Sequence, residues 1–219
     1  MRKVVLAFSL GLTIILGGGF TKASAQTIGL TTVTDPNNVN NNGDWVLGYS
    51  FLVNSSISVV SLGVYDHNSD GLLGSHDVGL WDSSGNLLAS STVPAGTGAT
   101  LDSSYRFVTI SAVNLSPGST YYVGAVKVNA DQDEWIADPL SFATAPEISY
   151  DSRRFQFYSG TLVFPDLAGS NSVGYFGGNF QFAAVPEPTT WALMGVGASL
   201  AGLSAWRMRK RKTKVQKRR

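Results

Sequence analysis

The sequence has no cysteine. That excludes a disulfide scaffold, a thiolate metal site and a cysteine nucleophile. Histidine is nearly absent too: only His67 and His76 occur, in or beside one short loop. A two-histidine metal centre or a Ser-His-Asp triad therefore has few ways to form, and His76-Asp77 with a distant serine is the geometric option that remains. Charge is scarce, at 14% of residues, against roughly 25% in an average soluble domain. No glycine-rich phosphate loop follows a strand, and no basic patch is interleaved with aromatics. Little in the residue types points to catalysis, and the expectation is that the chain is not an enzyme.

What is present is unevenly distributed. The 219 residues carry a net charge of +1, but residues 1–25 carry +3, residues 26–184 carry −10 and residues 185–219 carry +8. The near-neutral total is an acidic body added to two basic ends.

Residues 1–25 read as a secretory signal peptide and its helix. Arg2-Lys3 is a basic start, Val4 to Gly19 is apolar, and Ala23-Ser24-Ala25 offers a small-residue cleavage site at Ala23 and Ala25. Its partners would be the Sec translocon and signal peptidase. Residues 185–219 have three parts in order. Val185-Pro186-Glu187-Pro188 comes first, then an uncharged stretch over 189–206, then a basic tail over 207–219. Eighteen residues from Thr189 to Trp206 would make a helix about 27 Å long, enough for a thin bilayer core. Trp191 and Trp206 stand at its two ends, where interfacial aromatics belong, and the basic tail holds that end in the cytoplasm. A transmembrane helix in the precursor is the expectation, with no nucleic-acid role for the tail.

Pro186-Glu187-Pro188, the short span and the Arg-rich end together resemble the PEP-CTERM sorting signal of exported bacterial proteins. The resemblance implies processing by an exosortase, a membrane transpeptidase-like protease, and a link to exopolysaccharide or biofilm matrix. The precursor would sit in the inner membrane and the mature form at the cell surface or outside the cell.

The segment over 26–43 is rich in Asn and reads as a flexible leader. The body over 44–184 is long enough for one core. Turn clusters such as Asn68-Ser69-Asp70-Gly71, Ser83-Ser84-Gly85-Asn86 and Ser116-Pro117-Gly118 punctuate it. Between such clusters lie runs rich in β-branched and aromatic residues: Trp45 to Val53, Ile57 to Tyr65, Asp77 to Trp81, Leu87 to Val93, Tyr105 to Ile110 and Thr120 to Val128. Arg154 to Tyr158, Thr161 to Phe164 and Asn179 to Ala183 follow. Short strands at this spacing predict an all-β fold, a single antiparallel β-sandwich of jelly-roll or Ig-like type. Asp82 to Asn86 should close a hairpin, with Gly85 supplying a positive φ.

Ser75-His76-Asp77-Val78-Gly79-Leu80-Trp81-Asp82, Gly85-Asn86-Leu87-Leu88-Ala89, Leu115-Ser116-Pro117-Gly118-Ser119-Thr120-Tyr121 and Phe176-Gly177-Gly178-Asn179-Phe180 resemble an uncharacterised bacterial extracellular β-sandwich family. That resemblance implies a fold and an association with exported, sometimes carbohydrate-active proteins.

Three constellations are candidates for chemistry. Asp66-His67-Asn68-Ser69-Asp70-Gly71, followed by Asp77, has the spacing of a calcium loop with Asp for the closing Glu. Ligands would be Asp66, Asn68, Asp70, the Leu72 carbonyl and Asp77, with Gly71 at the sharp turn. The competing reading is a polar turn that needs no ion. Asp131, Asp133, Glu134 and Asp138 surround Trp135; they read as a solvated acidic loop rather than as a glycosidase carboxylate pair. Trp45, Trp81 and Trp135, with Tyr150 and Tyr158, are either sandwich core or sugar-stacking platforms, Trp135 being the favoured platform. The leading expectation is a non-catalytic surface or matrix protein. The alternative is a carbohydrate-binding module, calcium-stabilised if the loop holds an ion.

Overall fold

A computed structural model describes residues 26–34, 39–169 and 174–185. The helices expected over 1–25 and 189–206, both signal cleavage residues, and Pro186, Glu187 and Pro188 lie outside the described residues. Among the described residues there is no α-helix, and no helix long and apolar enough to cross a membrane.

The chain opens with three short strands, β1 (Thr27–Ile28), β2 (Leu30–Thr34) and β3 (Val39–Asn40). Two long ones follow, β4 (Trp45–Val53) and β5 (Ile57–Tyr65). A 3-10 turn at His67–Ser69 leads to β6 (His76–Asp82) and β7 (Leu87–Val93), then β8 (Thr100–Asp102), β9 (Tyr105–Leu115) and β10 (Thr120–Lys127). The last group is β11 (Trp135–Ala137), β12 (Ser141–Thr144), β13 (Ile148–Phe157), β14 (Leu167–Ala168), β15 (Tyr175–Phe176) and β16 (Gly178–Ala184).

All pairings are antiparallel, and two large sheets dominate. One has the order β1-β16-β5-β9-β8, the other β14-β13-β4-β10-β6-β7. Their inner faces meet in one core: Phe51 and Val123 from the second sheet lie among Val59, Leu62, Phe180 and Phe182 from the first. Phe51 stacks on Phe180 across the layers, with ring centroids 4.7 Å apart. This is the expected all-β antiparallel sandwich. Two small sheets, β15-β11-β3 and β12-β2, accompany the large ones.

The β6–β7 hairpin forms as the turn residues require. Asp82 accepts hydrogen bonds from the backbone N–H of Ser84 and Asn86 and from Asn86 Nδ2. Those bonds hold its carboxyl below the ordinary range. Gly85 sits at φ +80°, where a side chain would be strained.

Two expectations change. Residues 27–28, 30–34 and 39–40 are strands of the domain, not a flexible leader. Leu30 is buried, and its N–H and C=O both bond to the Asn179 side chain. The pairing hides a leader rich in polar residues because only a few apolar positions need to reach the core. Thr161 to Phe164 is not a strand. Leu162, Val163 and Phe164 instead lie as irregular chain over Trp81 and Tyr122 on the outer face of the six-stranded sheet, so their apolarity reflects cover, not pairing.

Candidate functional site

The calcium-type loop is already neutralised from within. Asp66 accepts from the Gly71 N–H with both oxygens, at 3.2 Å each, and from Arg106 Nε at 2.7 Å. Both members of the ion pair are buried. Asp77 is on β6 and takes the Thr92 hydroxyl of β7 at 2.6 Å. Asn68 has φ +61° and Gly71 φ +114°, which is the tight turn that Asn, Asp and Gly favour. Among the described residues, the histidine and carboxylate group whose ligating atoms lie within 4.8 Å of one another is His76, Asp131 and Asp133; Asp66, Asp70 and Asp77 do not form such a group.

That second cluster was not visible as a motif, because its members lie on separate segments. His76 is fully buried at the start of β6. Its Nδ1 donates to the Val126 carbonyl at 2.8 Å, and its Nε2 faces Asp133 Oδ2 at 2.7 Å with a proton between them. Two ligands on one tetrahedral ion would stand roughly 3.3 Å apart, given metal–ligand bonds of about 2.0–2.1 Å. The His76–Asp133 spacing is that of a hydrogen bond, not of a metal centre.

Asp133 is therefore not part of a solvated acidic loop, as the sequence suggested. It also accepts from the N–H groups of Leu73 at 2.9 Å and Gly74 at 2.8 Å. Burial pushes its carboxyl up. The His76 bond, the two backbone bonds and the Lys127 charge outweigh that and leave it below the ordinary range. Beside it, burial pushes the Lys127 ammonium down to about 8, against the pull of Asp133, Asp131, Asp66 and Glu134. The Lys127 Nζ donates to the Tyr65 carbonyl at 3.4 Å. Glu134 meets His67 at 3.3 Å, and His67 Nδ1 lies 3.2 Å from the Tyr65 hydroxyl. Together these contacts clamp the loop over 66–75 to the loop over 128–134.

A third site is built from aromatics. Trp45 and Phe155, on neighbouring strands β4 and β13, face Trp135 of β11 and Tyr175 of β15 around a cleft of about 340 Å³. Asn40, Asn42 and Asp138 also line it. Register explains the gathering: Trp135 pairs with Asn40, Ala137 with Tyr175, and Phe155 with Leu47. Trp45 donates its indole N–H to the Asn42 carbonyl at 3.1 Å. A Cβ on Gly43 would lie 2.1 Å from that nitrogen, so the glycine admits the ring. Tyr175 stands edge-on to Trp135 at 5.3 Å, with Arg153 over its face at 4.8 Å. Arg153 pairs with Asp138 at 3.2 Å.

Of the aromatics singled out in the sequence, Trp81 packs under Phe164 and Tyr158 packs against the same buried cluster, and Tyr150 packs against Phe142 and Phe176. Trp135 is buried at 7% exposure, so it forms the wall of a cleft rather than an open platform. Trp45 is the more accessible of the two cleft tryptophans.

The C-terminal end meets the fold directly. β16 runs within the five-stranded sheet to Ala184, and the Val185 N–H donates to the Ser56 carbonyl at 3.0 Å. The sorting residues begin at Val185, where the strand ends.

Residues 31–175 match the family described as Domain of unknown function (DUF4082). Residues 184–211 match the PEP-CTERM protein-sorting motif. No curated protein and no solved structure matches the chain. The sorting motif marks an exported protein with an exosortase-type processing partner, a C-terminal membrane anchor in the precursor and an extracellular mature form.

Proposed function

We propose that this chain, which belongs to the DUF4082 family, is a non-catalytic protein of the cell surface or extracellular matrix that associates with exopolysaccharide after exosortase processing. Export starts at residues 1–25 through the Sec translocon, and signal peptidase cuts after Ala25. The observation that carries the reading is the join between β16 and the PEP-CTERM motif: the acidic sandwich passes into its sorting signal with no intervening segment. Removing both basic ends leaves a soluble body of −10.

A non-catalytic role is supported by the state of both histidines. His76 is buried with both nitrogens bonded, and His67 lies between Tyr65 and Glu134. His76 has no ring nitrogen left for a substrate, and the Asp133 carboxylate is committed to His76, Leu73 and Gly74.

The test is to follow the full chain, tagged between Gln26 and Thr27, in a host with and without its exosortase. The expected result is a shortened extracellular product in the first case and a membrane-held precursor in the second. Equal processing in both strains would refute the sorting reading. Matrix association is read separately, by release of the extracellular product when the polysaccharide is enzymatically depolymerised.

A further inference from the structure

We infer that the cleft between Trp45, Trp135, Phe155 and Tyr175 is a binding subsite for one ring of a neutral pyranose polysaccharide. The inference deepens the proposed association with exopolysaccharide and rests on it only for the presence of such a polymer outside the cell.

The chemistry of the walls selects the ligand. A pyranose carries axial C–H groups on its faces and hydroxyls around its rim. The C–H groups carry slight positive charge and suit the negative faces and electron-rich edges of aromatic rings. The rim hydroxyls need donors and acceptors, which the polar side chains of Asn40, Asn42 and Asp138 bring to the same cleft. A purely apolar ligand, such as an acyl chain, would take Asn40 and Asn42 out of water and offer them no hydrogen bond in return. The volume of about 340 Å³ lies at the low end of small-ligand cavities, which span roughly 300–1,000 Å³. That is room for one ring, with the rest of the polymer outside.

Charge decides between neutral and acidic sugars. Arg153 is already committed to Asp138 and to the Tyr175 face, and Lys127, paired with Trp45 in register, is buried with its ammonium on the Tyr65 carbonyl. Asp138 is exposed, and the exported body carries −10. A polyuronate or a sulfated sugar would meet repulsion, locally and from the whole surface.

The site is also rigid before any ligand arrives. The Trp45 indole is fixed by its bond to the Asn42 carbonyl and by the close approach over Gly43. Trp135 and Phe155 are both held edge-on by Tyr175, at 5.3 and 5.8 Å. Ordering costs on binding are correspondingly small.

The test uses the full chain purified in a zwitterionic detergent without a sugar headgroup. It is titrated calorimetrically with cellotetraose, mannotetraose, xylotetraose and an alginate tetramer, and indole fluorescence is followed in parallel. At least one neutral tetrasaccharide should saturate with a Kd on the order of 0.1–1 mM, and Trp45→Ala should weaken it at least about tenfold at an unchanged melting temperature. Should Trp45→Ala fail to fold, Asp138→Ala, whose exposed side chain is outside the core, must show a similar loss. No saturation by any neutral sugar at about 10 mM, unchanged binding in both variants, or tighter binding of the alginate tetramer would each overturn the inference. The titration does not involve the exosortase, so failure of the sorting experiment leaves its result standing, and the reverse holds as well.

Discussion

Arg106 Nε donates to Asp66 Oδ2 at 2.7 Å, and both side chains are almost sealed from water. The remaining guanidinium nitrogens donate to the carbonyls of Thr97, Ala99 and Ser69. A position with the spacing of a calcium ligand is thus filled by an internal cation. Asp66→Ala strands the arginine and should cost about 3–5 kcal/mol in denaturant unfolding. The double variant Asp66→Leu/Arg106→Met removes both charges and should recover most of that loss. If the pair is no more than surface decoration, the single variant will unfold at the wild-type midpoint.

The same pairing predicts indifference to calcium. An ion bound in the loop at ten times its Kd would add roughly 1.4 kcal/mol. Because Asp66 is bonded to Arg106 and Gly71, the expected result is one melting temperature in millimolar calcium and in excess chelator. A calcium-dependent rise would show that the ion displaces Arg106.

Lys127 predicts how stability changes in alkali. Burial lowers its folded value to about 8, below the roughly 10.4 of an unfolded lysine. Between these values the unfolded chain holds the extra proton, so stability rises with pH there. The gain is roughly 3 kcal/mol at most, because each tenfold difference in proton affinity between the two states is worth about 1.4 kcal/mol. Tyr49, Tyr65, Tyr105 and Tyr150 act in the opposite direction, since burial raises all four, Tyr150 to about 12. Above about pH 10 the unfolded tyrosines ionise while the folded ones do not, and stability falls. Urea midpoints should therefore rise from about pH 8 to a maximum near pH 10 and decline beyond it. Lys127→Met should abolish the rise and keep the decline.

What could be read from the residues follows from how local each signal is. The runs Trp45 to Val53, Ile57 to Tyr65 and Leu87 to Val93 become β4, β5 and β7 with the same bounds. Each is a β-branched or aromatic run stopped by turn residues, a signal contained within a few positions. The His76–Asp133 bond joins residues 57 positions apart, and no spacing rule reaches that far. The aromatic cleft is hidden for a similar reason. Trp45, Trp135 and Tyr175 come from separate strands, and only sheet register brings them together. Two-residue strands such as β3 and β15 carry too few side chains to show any period.

Tyr105 offers a gain in stability. Its hydroxyl is buried with no hydrogen-bond partner among the described residues, while its ring packs against Tyr65 and Phe107. Tyr105→Phe keeps the ring and deletes the unsatisfied group, so it should raise stability by about 1 kcal/mol. Loss of stability would reveal a partner for the hydroxyl, such as an ordered water.

The place where the sorting signal joins the fold sets a limit on processing. β16 is an inner strand of its sheet, pairing with β1 on one side and β5 on the other. It contributes Phe180 and Phe182 to the core with no exposure. Its Asn179 also receives the N–H of Leu30 and the Tyr49 hydroxyl, linking β2 and β4 to the same point. A cut beyond Val185 removes none of this, whereas a cut before Gly178 deletes two buried aromatics, each worth about 3–5 kcal/mol. That loss is comparable to the whole stability of a typical domain, about 5–15 kcal/mol. A stop codon after Val185 should thus give a secreted, protease-resistant product, and one after Gly177 a chain degraded on export. If the second truncation is equally resistant, β16 is dispensable, and the fold does not constrain where the exosortase cuts.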